Sequence, residues 1–218
     1  QRSVAYGDGV YKSLDGGNSW KNMGLKNSEH ISKIIVGPRN SNVVYVAAYR
    51  PLWSAGGDRG VYKTVDGGEN WELIHAVSEN TGAADLVMDP SNPNKLIASM
   101  WEHKRDPWFF KSGGKGSGVY ITHDGGENWK KITEKEGFPK GDLGRIGVAI
   151  SRSNPDVIYA LVEAKKNALY KSIDGGFKWK KINDKRGIGN RPFYYSEIYV
   201  DPQNENRLYT VFAYISVS

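Results

Sequence analysis

The sequence repeats one short stretch four times, as SLDGGNSW at residues 13–20, TVDGGENW at 64–71, THDGGENW at 122–129 and SIDGGFKW at 172–179. Each copy reads Ser/Thr-x-Asp-Gly-Gly-x-x-Trp, and we call it the box. The four box aspartates are 51, 58 and 50 residues apart. A repeat of this length is typical of propellers and solenoids, so the boxes decide the class of fold.

A second pattern recurs between the boxes, in a different register. It reads GPRNSNVVYVA from Gly37, DPSNPNKLIAS from Asp89, SRSNPDVIYAL from Ser151 and DPQNENRLYTV from Asp201. Two patterns that recur together define a structural unit, because a chance repeat of one would not carry the other with it.

Each complete unit is predicted to contain four strands, A to D. In the second unit these are 31–36, 43–49, 60–65 and 71–75, with an Asn-rich turn between A and B and the box between C and D. Both connections have typical hairpin chemistry. The 26 glycines and 13 tyrosines also suit many short strands joined by tight turns. We therefore predict an all-β fold, a β-propeller of four-stranded antiparallel blades with box hairpins.

The units are predicted to form a single domain over residues 1–218. It divides into a partial blade at 1–26, blades at about 27–76, 77–133 and 134–183, and a partial blade at 184–218.

The first and last units each lack part of a blade. The first has only the end of a B strand, at 3–6, before its C strand begins at Val10. The last has an A strand at 194–200, a B strand from Arg207 and a C strand at 214–218, where Ser218 aligns with the residue that opens a box. We expect an incomplete segment of a larger propeller, with the remaining blades as partners. The alternative is a closed ring in which the last strands complete the first blade.

The box has a physical role that needs no active site. The aspartate can accept bonds from amides of its own turn, the glycines permit positive φ, and the tryptophan can pack on the hairpin. Catalytic or metal-binding aspartates would instead require four equivalent sites around a ring. We predict a structural role, with buried tryptophans and turn-bonded aspartates, for Asp15, Trp20, Asp66, Trp71, Asp124, Trp129, Asp174 and Trp179.

Composition excludes several classes of function. The formal charge is +6 with a pI near 9.3, but the basic residues are scattered among 24 acidic ones, so no nucleic-acid partner is predicted. The absence of cysteine excludes disulfides and thiolate chemistry. No apolar run approaches membrane-spanning length, so no membrane insertion is predicted. The histidines lack metal-ligand spacing, and we predict neither a metal site nor a cofactor.

The boxes resemble those of the Asp-box or BNR superfamily, which includes sialidases, xyloglucan-cleaving glycoside hydrolases, sortilin ectodomains and a photosystem II assembly factor. Stretches such as GDGVYKSLDGGNSWKNMGL, DPWFFKSGGKGSGVYITHDGGENW, GDLGRIGVAISRSNPDVIYALVE and RPFYYSEIYVDP are similar to bacterial exported sortilin-N-terminal-like or glycosyl-hydrolase BNR-repeat proteins, over residues 4–218. The resemblance implies export to the cell surface, the extracellular space or the periplasm, with the signal outside this chain. It leaves open whether the protein is an enzyme.

The order of the strands predicts which loops lie on each face of the propeller. Because consecutive strands run in opposite directions, the A–B turns and the boxes share one face, and the B–C loops and interblade links share the other. The second face, which we call the variable face, differs between units and is the better place for function. The three tryptophans outside the boxes, Trp53, Trp101 and Trp108, all fall in or beside B–C connections. Trp101 can equally pack between blades.

The third unit carries the longest of these connections, residues 101–118, in which aromatic residues alternate with charged ones. Such a surface suits stacking on a sugar or gripping a peptide. Our ligand-binding candidates are Trp53, Trp108, Arg105, Arg145, Arg191 and Tyr194.

Catalysis is less well specified by the sequence. A glycosidase needs two carboxylates at a defined separation, and the candidates are Glu102, Asp106 and Asp142. A sialidase needs arginines that converge on a carboxylate and a Tyr/Glu pair. Arg145, Arg191 and the group of Tyr194, Tyr195 and Glu197 echo this pattern without aligning to it, and structural pairing of the arginines is the alternative.

Two hypotheses follow for the function of the protein. The first is an exported, sortilin-like propeller that binds a peptide, a glycan or another protein on its variable face. The second is a glycoside hydrolase that acts on a polysaccharide.

Overall fold

The computed structural model describes residues 5–49, 51, 53–185, 187–211 and 215–217. Within these ranges the regular structure is entirely β, as the sequence predicts. Neighbouring strands of each sheet are antiparallel.

The second unit forms a complete four-stranded sheet. Its strands are β3 (Ile31–Val36), β4 (Val44–Ala48), β5 (Gly60–Thr64) and β6 (Glu72–His75), paired in chain order. These strands correspond to the predicted A to D, with ends that move by no more than one residue. The local turn chemistry was therefore sufficient to place them.

The third unit adds a strand to the same plan. Its sheet contains β7 (Thr81–Met88), β8 (Leu96–Arg105), β10 (Gly118–Thr122) and β11 (Lys130–Lys131), and β9 (Phe110–Ser112) pairs with the end of β8. The predicted long connection is thus largely regular. Its first part continues β8, because His103, Lys104 and Arg105 pair with Ser112, Lys111 and Phe110.

The fourth unit is again a four-stranded sheet, made of β12 (Ile146–Ile150), β13 (Ile158–Val162), β14 (Ala168–Ser172) and β15 (Lys180–Asn183). The last sheet has three strands, β16 (Glu197–Asp201), β17 (Asn204–Val211) and β18 (Ile215–Val217). The first has two short strands, β1 (Tyr11–Lys12) and β2 (Lys21–Asn22).

Three strand predictions at the ends of the chain need comment. The A strand was predicted to begin at residue 194, but β16 begins at Glu197. Residues 194 and 195 belong to a turn, in which the amides of Tyr194 and Tyr195 both donate to the carbonyl of Arg191. The predicted strand at 3–6 lies partly outside the described residues, and Tyr6 is not in a strand. Of the predicted strand at 214–218, only 215–217 are described, as β18.

The first and last sheets do not join. The strands β16 to β18 form one sheet and β1 and β2 form another, so the described residues do not close into a four-bladed ring through a shared sheet. The architecture is that of a partial propeller.

The hydrophobic core lies between neighbouring sheets. One cluster joins the second and third units through Tyr45, Val61 and Leu86. Others join the third unit to the fourth, around Ile97 and Ile158, and the fourth to the last. Each unit therefore buries its apolar faces on its neighbours, as a repeat architecture requires.

The box aspartates bond as predicted. One oxygen of each side chain accepts the main-chain amide four residues later, at 2.9 Å in Asp15, Asp124 and Asp174 and 3.0 Å in Asp66. Both glycines of every box have φ between 71° and 102°, the left-handed region that favours glycine. Every box is thus a closed turn held by its own aspartate.

The box tryptophans are not buried equally. Trp179 is only 5% exposed, and Trp71 and Trp129 are half-buried. The prediction that all four are largely buried was wrong for Trp20, which is 61% exposed. Trp71 bonds to Met23 of the preceding unit, and no unit precedes Trp20 in the described residues to cover its ring in this way.

Candidate functional site

Main-chain hydrogen bonds assemble part of the variable face from three separate segments. The amide of Gly56, in the B–C loop of the second unit, donates to the carbonyl of Glu79, in the link to the third. The amide of His103, near the end of β8, donates to the carbonyl of Asn80. One loop, one link and one strand end are thereby fixed side by side.

These segments enclose a pocket of about 460 Å³. The loop contributes Trp53 to the lining, and β8 and β9 contribute Glu102, His103, Lys104 and Lys111. The lining residues are Trp53, Ser54, Ala55, Glu79, Asn80, Glu102, His103, Lys104, Asp106 and Lys111. Two of the three predicted catalytic carboxylates and one predicted aromatic platform therefore line a single site.

The B–C loop that carries Trp53 is bonded to the buried side chain of Arg59. This arginine is only 6% exposed, and its guanidinium donates to the carbonyls of Pro51, Ser54 and Gly56. A planar guanidinium can serve several acceptors at fixed angles, which suits it to order a loop that lacks a ladder of its own. Trp53 remains 40% exposed and presents part of its ring to the pocket.

Glu102 is half-buried and fully engaged. Its carboxylate accepts the amide of Gly116 at 2.9 Å and the ammonium of Lys111 at 3.0 Å. Burial alone would raise its pKa, but these donors outweigh burial and the net pKa is lowered. Glu102 is therefore ionised at neutral pH, and it ties the glycine-rich loop at 113–118 to β8.

Asp106 begins the turn that joins β8 to β9, and its carboxylate lies 3.6 Å from the ammonium of Lys104. With the pair of Glu102 and Lys111, two of the three carboxylates in the pocket are neutralised by lysines. Glu79 then accounts for the net negative charge of the lining.

Trp108 and Phe109 lie at the tip of the β8–β9 hairpin, beside the pocket. Trp108 is 86% exposed and Phe109 is 51% exposed, whereas Trp101 is fully buried within β8. Of the two alternatives for Trp101, packing between blades is the one observed.

The three arginines named as ligand-binding candidates all contact other groups of the protein. Arg105 is 7% exposed and lies over the ring of Phe110, 4.8 Å from its centre. Arg145 donates to the carbonyl of Tyr194 at 3.2 Å. Arg191 is exposed and lies over the ring of Tyr194, at 5.6 Å.

The remaining predicted site residues lie away from the pocket lining. Asp142 is exposed in the link before β12 and is not among the lining residues. Tyr194 is half-buried in the turn before β16, while Tyr195 and Glu197 are exposed. Arg145 donates to main-chain carbonyls and lines, with Glu197, the larger concavity described below. Arg191, Tyr194 and Tyr195 are not among the residues that line this concavity, so the geometry does not favour the sialidase pattern.

The model of the Sortilin-Vps10 family, described as "Sortilin, neurotensin receptor 3", matches residues 8–137, more than half of the chain. This chain belongs to the Sortilin-Vps10 family. A search of the curated proteins finds no match.

Solved structures with the same fold as this Sortilin-Vps10 chain include three GH74 enzymes. The GH74 xyloglucanase from Xanthomonas campestris is 16% identical with a TM-score of 0.70, over 96% of this chain and 33% of that one. A Niastella koreensis GH74 enzyme is 22% identical, with a TM-score of 0.66, over 95% and 32%. An ancestral GH74 enzyme is 23% identical, with a TM-score of 0.66, over 93% and 24%. The chain thus spans a quarter to a third of these proteins.

A larger concavity, of about 870 Å³, is lined by the first strands of the four units of this Sortilin-Vps10 chain. Lys33, Asp85 and Glu197 lie on its wall, with Asp85 3.4 Å from Lys33. Burial raises the pKa of Asp85, which also accepts the amide of Val148 at 3.1 Å. Asp85 therefore joins three units at the inner edge of the sheets.

Over the described ranges, no helix is long and apolar enough to span a membrane. Among the same residues, no group of three or more histidine, aspartate or glutamate side chains is placed to hold a metal ion.

Seven of the ten lining residues lie in loops and links of the predicted variable face but were not among the predicted site residues: Ser54, Ala55, Glu79, Asn80, His103, Lys104 and Lys111. Only their position on the variable face could have signalled them, because a lysine or an asparagine in a loop is common. Their convergence depends on the pairing of β8 with β9 and on the bonds that join separate segments.

Proposed function

We propose that this chain is part of an exported propeller that binds a glycan in the pocket between Trp53 and the β8–β9 hairpin. The observation that carries the proposal is the lining itself, in which one aromatic face lies beside an amide, three carboxylates and two lysines. Sugars are bound by this combination, because their apolar faces stack on rings and their hydroxyls bond to planar polar groups. A peptide is the other ligand class that such a pocket could take.

The state of the carboxylates favours binding over hydrolysis. A glycosidase requires a carboxylic acid that stays protonated until it transfers its proton, so one of its two carboxyl groups has a raised pKa. The pKa of Glu102 is instead lowered, and this side chain is bonded to Gly116 and Lys111. Asp106 is paired with Lys104.

Hydrolysis of a polysaccharide is the second candidate. Glu102 and Asp106 do line one pocket beside Trp53, and the fold is similar to that of GH74 enzymes. Amide variants distinguish the two functions. If the protein is a hydrolase through these residues, Glu102→Gln and Asp106→Asn abolish turnover of polysaccharides; if it only binds, the wild type releases no reducing ends.

Binding itself is tested with Trp53→Ala on immobilised glycans and peptides. We expect the variant to lose about tenfold in glycan affinity, since truncating a central aromatic residue commonly costs more than 1 kcal/mol. Trp20→Ala is the matched control, because Trp20 is also exposed but lies in a box on the opposite face. Equal loss in both variants, or binding of peptides alone, would contradict the proposal.

A further inference from the structure

The hairpin that forms one wall of the pocket ends in an exposed apolar tip. Asp106 and Phe109 close the turn through two main-chain bonds, of 2.8 and 3.2 Å. Pro107, Trp108 and Phe109 are all exposed at the tip, Trp108 by 86%. These three consecutive residues form a contiguous apolar patch, the kind of surface that marks an interaction site.

The hairpin is anchored firmly at its base. Arg105 is buried over Phe110, and Phe110 packs on Phe193 of the link to the last unit, with ring centres 5.3 Å apart. His103 is buried and stacks near Tyr49 of the second unit at 5.7 Å. Contacts with two other units fix the direction of the hairpin, so Trp108 is displayed by an ordered element.

Charge around the tip argues against an acidic partner. The two lysines of this hairpin, Lys104 and Lys111, are already paired with Asp106 and Glu102. An anionic membrane or a nucleic acid would need unpaired basic groups beside the aromatic ring. An uncharged ligand with many hydroxyls meets no such requirement.

The tip is continuous with the pocket. Asp106 both lines the pocket and begins the turn, two residues before Trp108. Trp53 lines the same pocket from the B–C loop of the second unit. The site therefore offers two separate aromatic platforms, joined by polar groups, and a single sugar in the pocket would use only the first.

From this arrangement we infer that Trp108 is a second platform, and that the ligand is a neutral glycan chain long enough to contact Trp53 and Trp108 together. The inference rests on the proposed glycan-binding function and adds the class of glycan. A chain gains affinity from each platform that it reaches, whereas a short oligosaccharide gains it only in the pocket.

A ladder of neutral oligosaccharides, from disaccharide to hexasaccharide, tests this on the intact protein by titration calorimetry. Cello-oligosaccharides and manno-oligosaccharides serve as the probes. For the wild type we expect affinity to rise with length. Trp108→Ala should bind the shortest sugars as the wild type does and should lose about tenfold with the longest. Trp53→Ala should weaken every length, and Trp20→Ala should change none.

The two proposals fail in different ways. If the wild type binds the sugars but Trp108→Ala behaves like the wild type at every length, the second platform is refuted and the pocket stands. If the wild type binds no oligosaccharide, both proposals fail. Trp108→Phe keeps a ring at the tip and should recover part of the length dependence, whereas loss of binding at all lengths in both Trp108 variants would refute a platform role.

Discussion

Trp71 donates its indole N–H to the main-chain carbonyl of Met23, 2.6 Å away, so the box tryptophan of one unit is bonded to the unit before it. Trp129 contacts the preceding unit through its ring, which stacks on His75 with ring centres 4.9 Å apart, while its indole N–H donates to the carbonyl of Gly126 in its own box. Trp20 has no such neighbour and is 61% exposed. Trp71 and Trp129 thus contribute to the contact between units, whereas Trp20, among the described residues, bonds only to Gly17 of its own box.

These different surroundings predict that replacing a box tryptophan by alanine lowers the free energy of unfolding by different amounts in different boxes. Trp179→Ala should lower the free energy of unfolding by about 3–5 kcal/mol, because it removes a buried indole. Trp20→Ala should lower it by about 0.5 kcal/mol or less, as expected for an exposed residue. Urea denaturation, monitored by circular dichroism, measures the free energy of unfolding of both variants. Equal losses would show that the box tryptophans act only within their own hairpins.

Titration of His75 is expected to make the stability of the fold depend on pH. Burial lowers its pKa from 6.5 to about 4, because the ring packs against those of Tyr120 and Trp129. The folded state therefore binds fewer protons than the unfolded state between these values, and stability should fall as pH drops from 6.5 to 4. Above pH 6.5 the residue contributes no pH dependence.

The variant His75→Phe tests this window, since it keeps an aromatic ring and removes the titrating group. The stability difference between variant and wild type should change between pH 6.5 and 4 in favour of the variant. Measurements of the denaturation midpoint at several pH values give that difference. A constant difference would mean that His75 is protonated at no cost in the folded state.

The sequence predicted the parts of the fold whose bonds are local. A box closes through bonds between Asp124 and residues within four positions of it, so its pattern alone specifies the turn. The pocket could not be predicted in the same way. It depends on contacts such as Gly56 with Glu79, and on the pairing of β8 with β9, which no short motif encodes.

Burial was harder to predict than strand position, for a related reason. The four boxes are nearly identical in sequence, yet Trp20 and Trp179 differ from 61% to 5% in exposure. The exposure of the tryptophan is set by the neighbouring unit and not by the box. Boxes with nearly the same sequence can therefore hold tryptophans of very different exposure. The same holds for Arg105, whose burial follows from the unpredicted pairing of its strand with β9.

The box aspartates are expected to make the stability of the fold depend on pH in a second and more acidic range. The amide of Asn128 and the hydroxyl of Thr122 hold the pKa of Asp124 well below its ordinary value of 3.8. A group with a lowered folded pKa contributes stability above its unfolded pKa and loses it as pH falls toward the folded value. The contribution of Asp124 should therefore be complete at neutral pH and decline below about pH 4.

Asp124→Asn should accordingly be less stable than the wild type at pH 7, with a gap that narrows as the pH drops below 3.8. Thermal denaturation at a series of acidic pH values measures the gap. Asp142→Asn is the control, because Asp142 is exposed and lies outside the boxes. A gap that stays constant down to strongly acidic pH would show that the charge of Asp124 does not stabilise the turn.

Arg59 should determine affinity without touching the ligand. Its guanidinium bonds three carbonyls of the loop that carries Trp53, at Pro51, Ser54 and Gly56. Arg59→Lys keeps the charge but cannot serve all three acceptors at their present angles. We expect this variant to bind glycans about tenfold more weakly, while its thermal stability changes little, because the loop loses order before the sheets do.

A double-mutant cycle shows whether Arg59 acts through Trp53. If it only positions the indole, adding Arg59→Lys to Trp53→Ala should cause almost no further loss, since coupled residues are not additive. Arg39→Lys is the matched control, because Arg39 bonds a single carbonyl, that of Ser91, on the face opposite the pocket. Losses that add in the double variant would mean that Arg59 supports another part of the pocket, and unchanged affinity in Arg59→Lys would show that the loop needs no guanidinium to hold Trp53 in place.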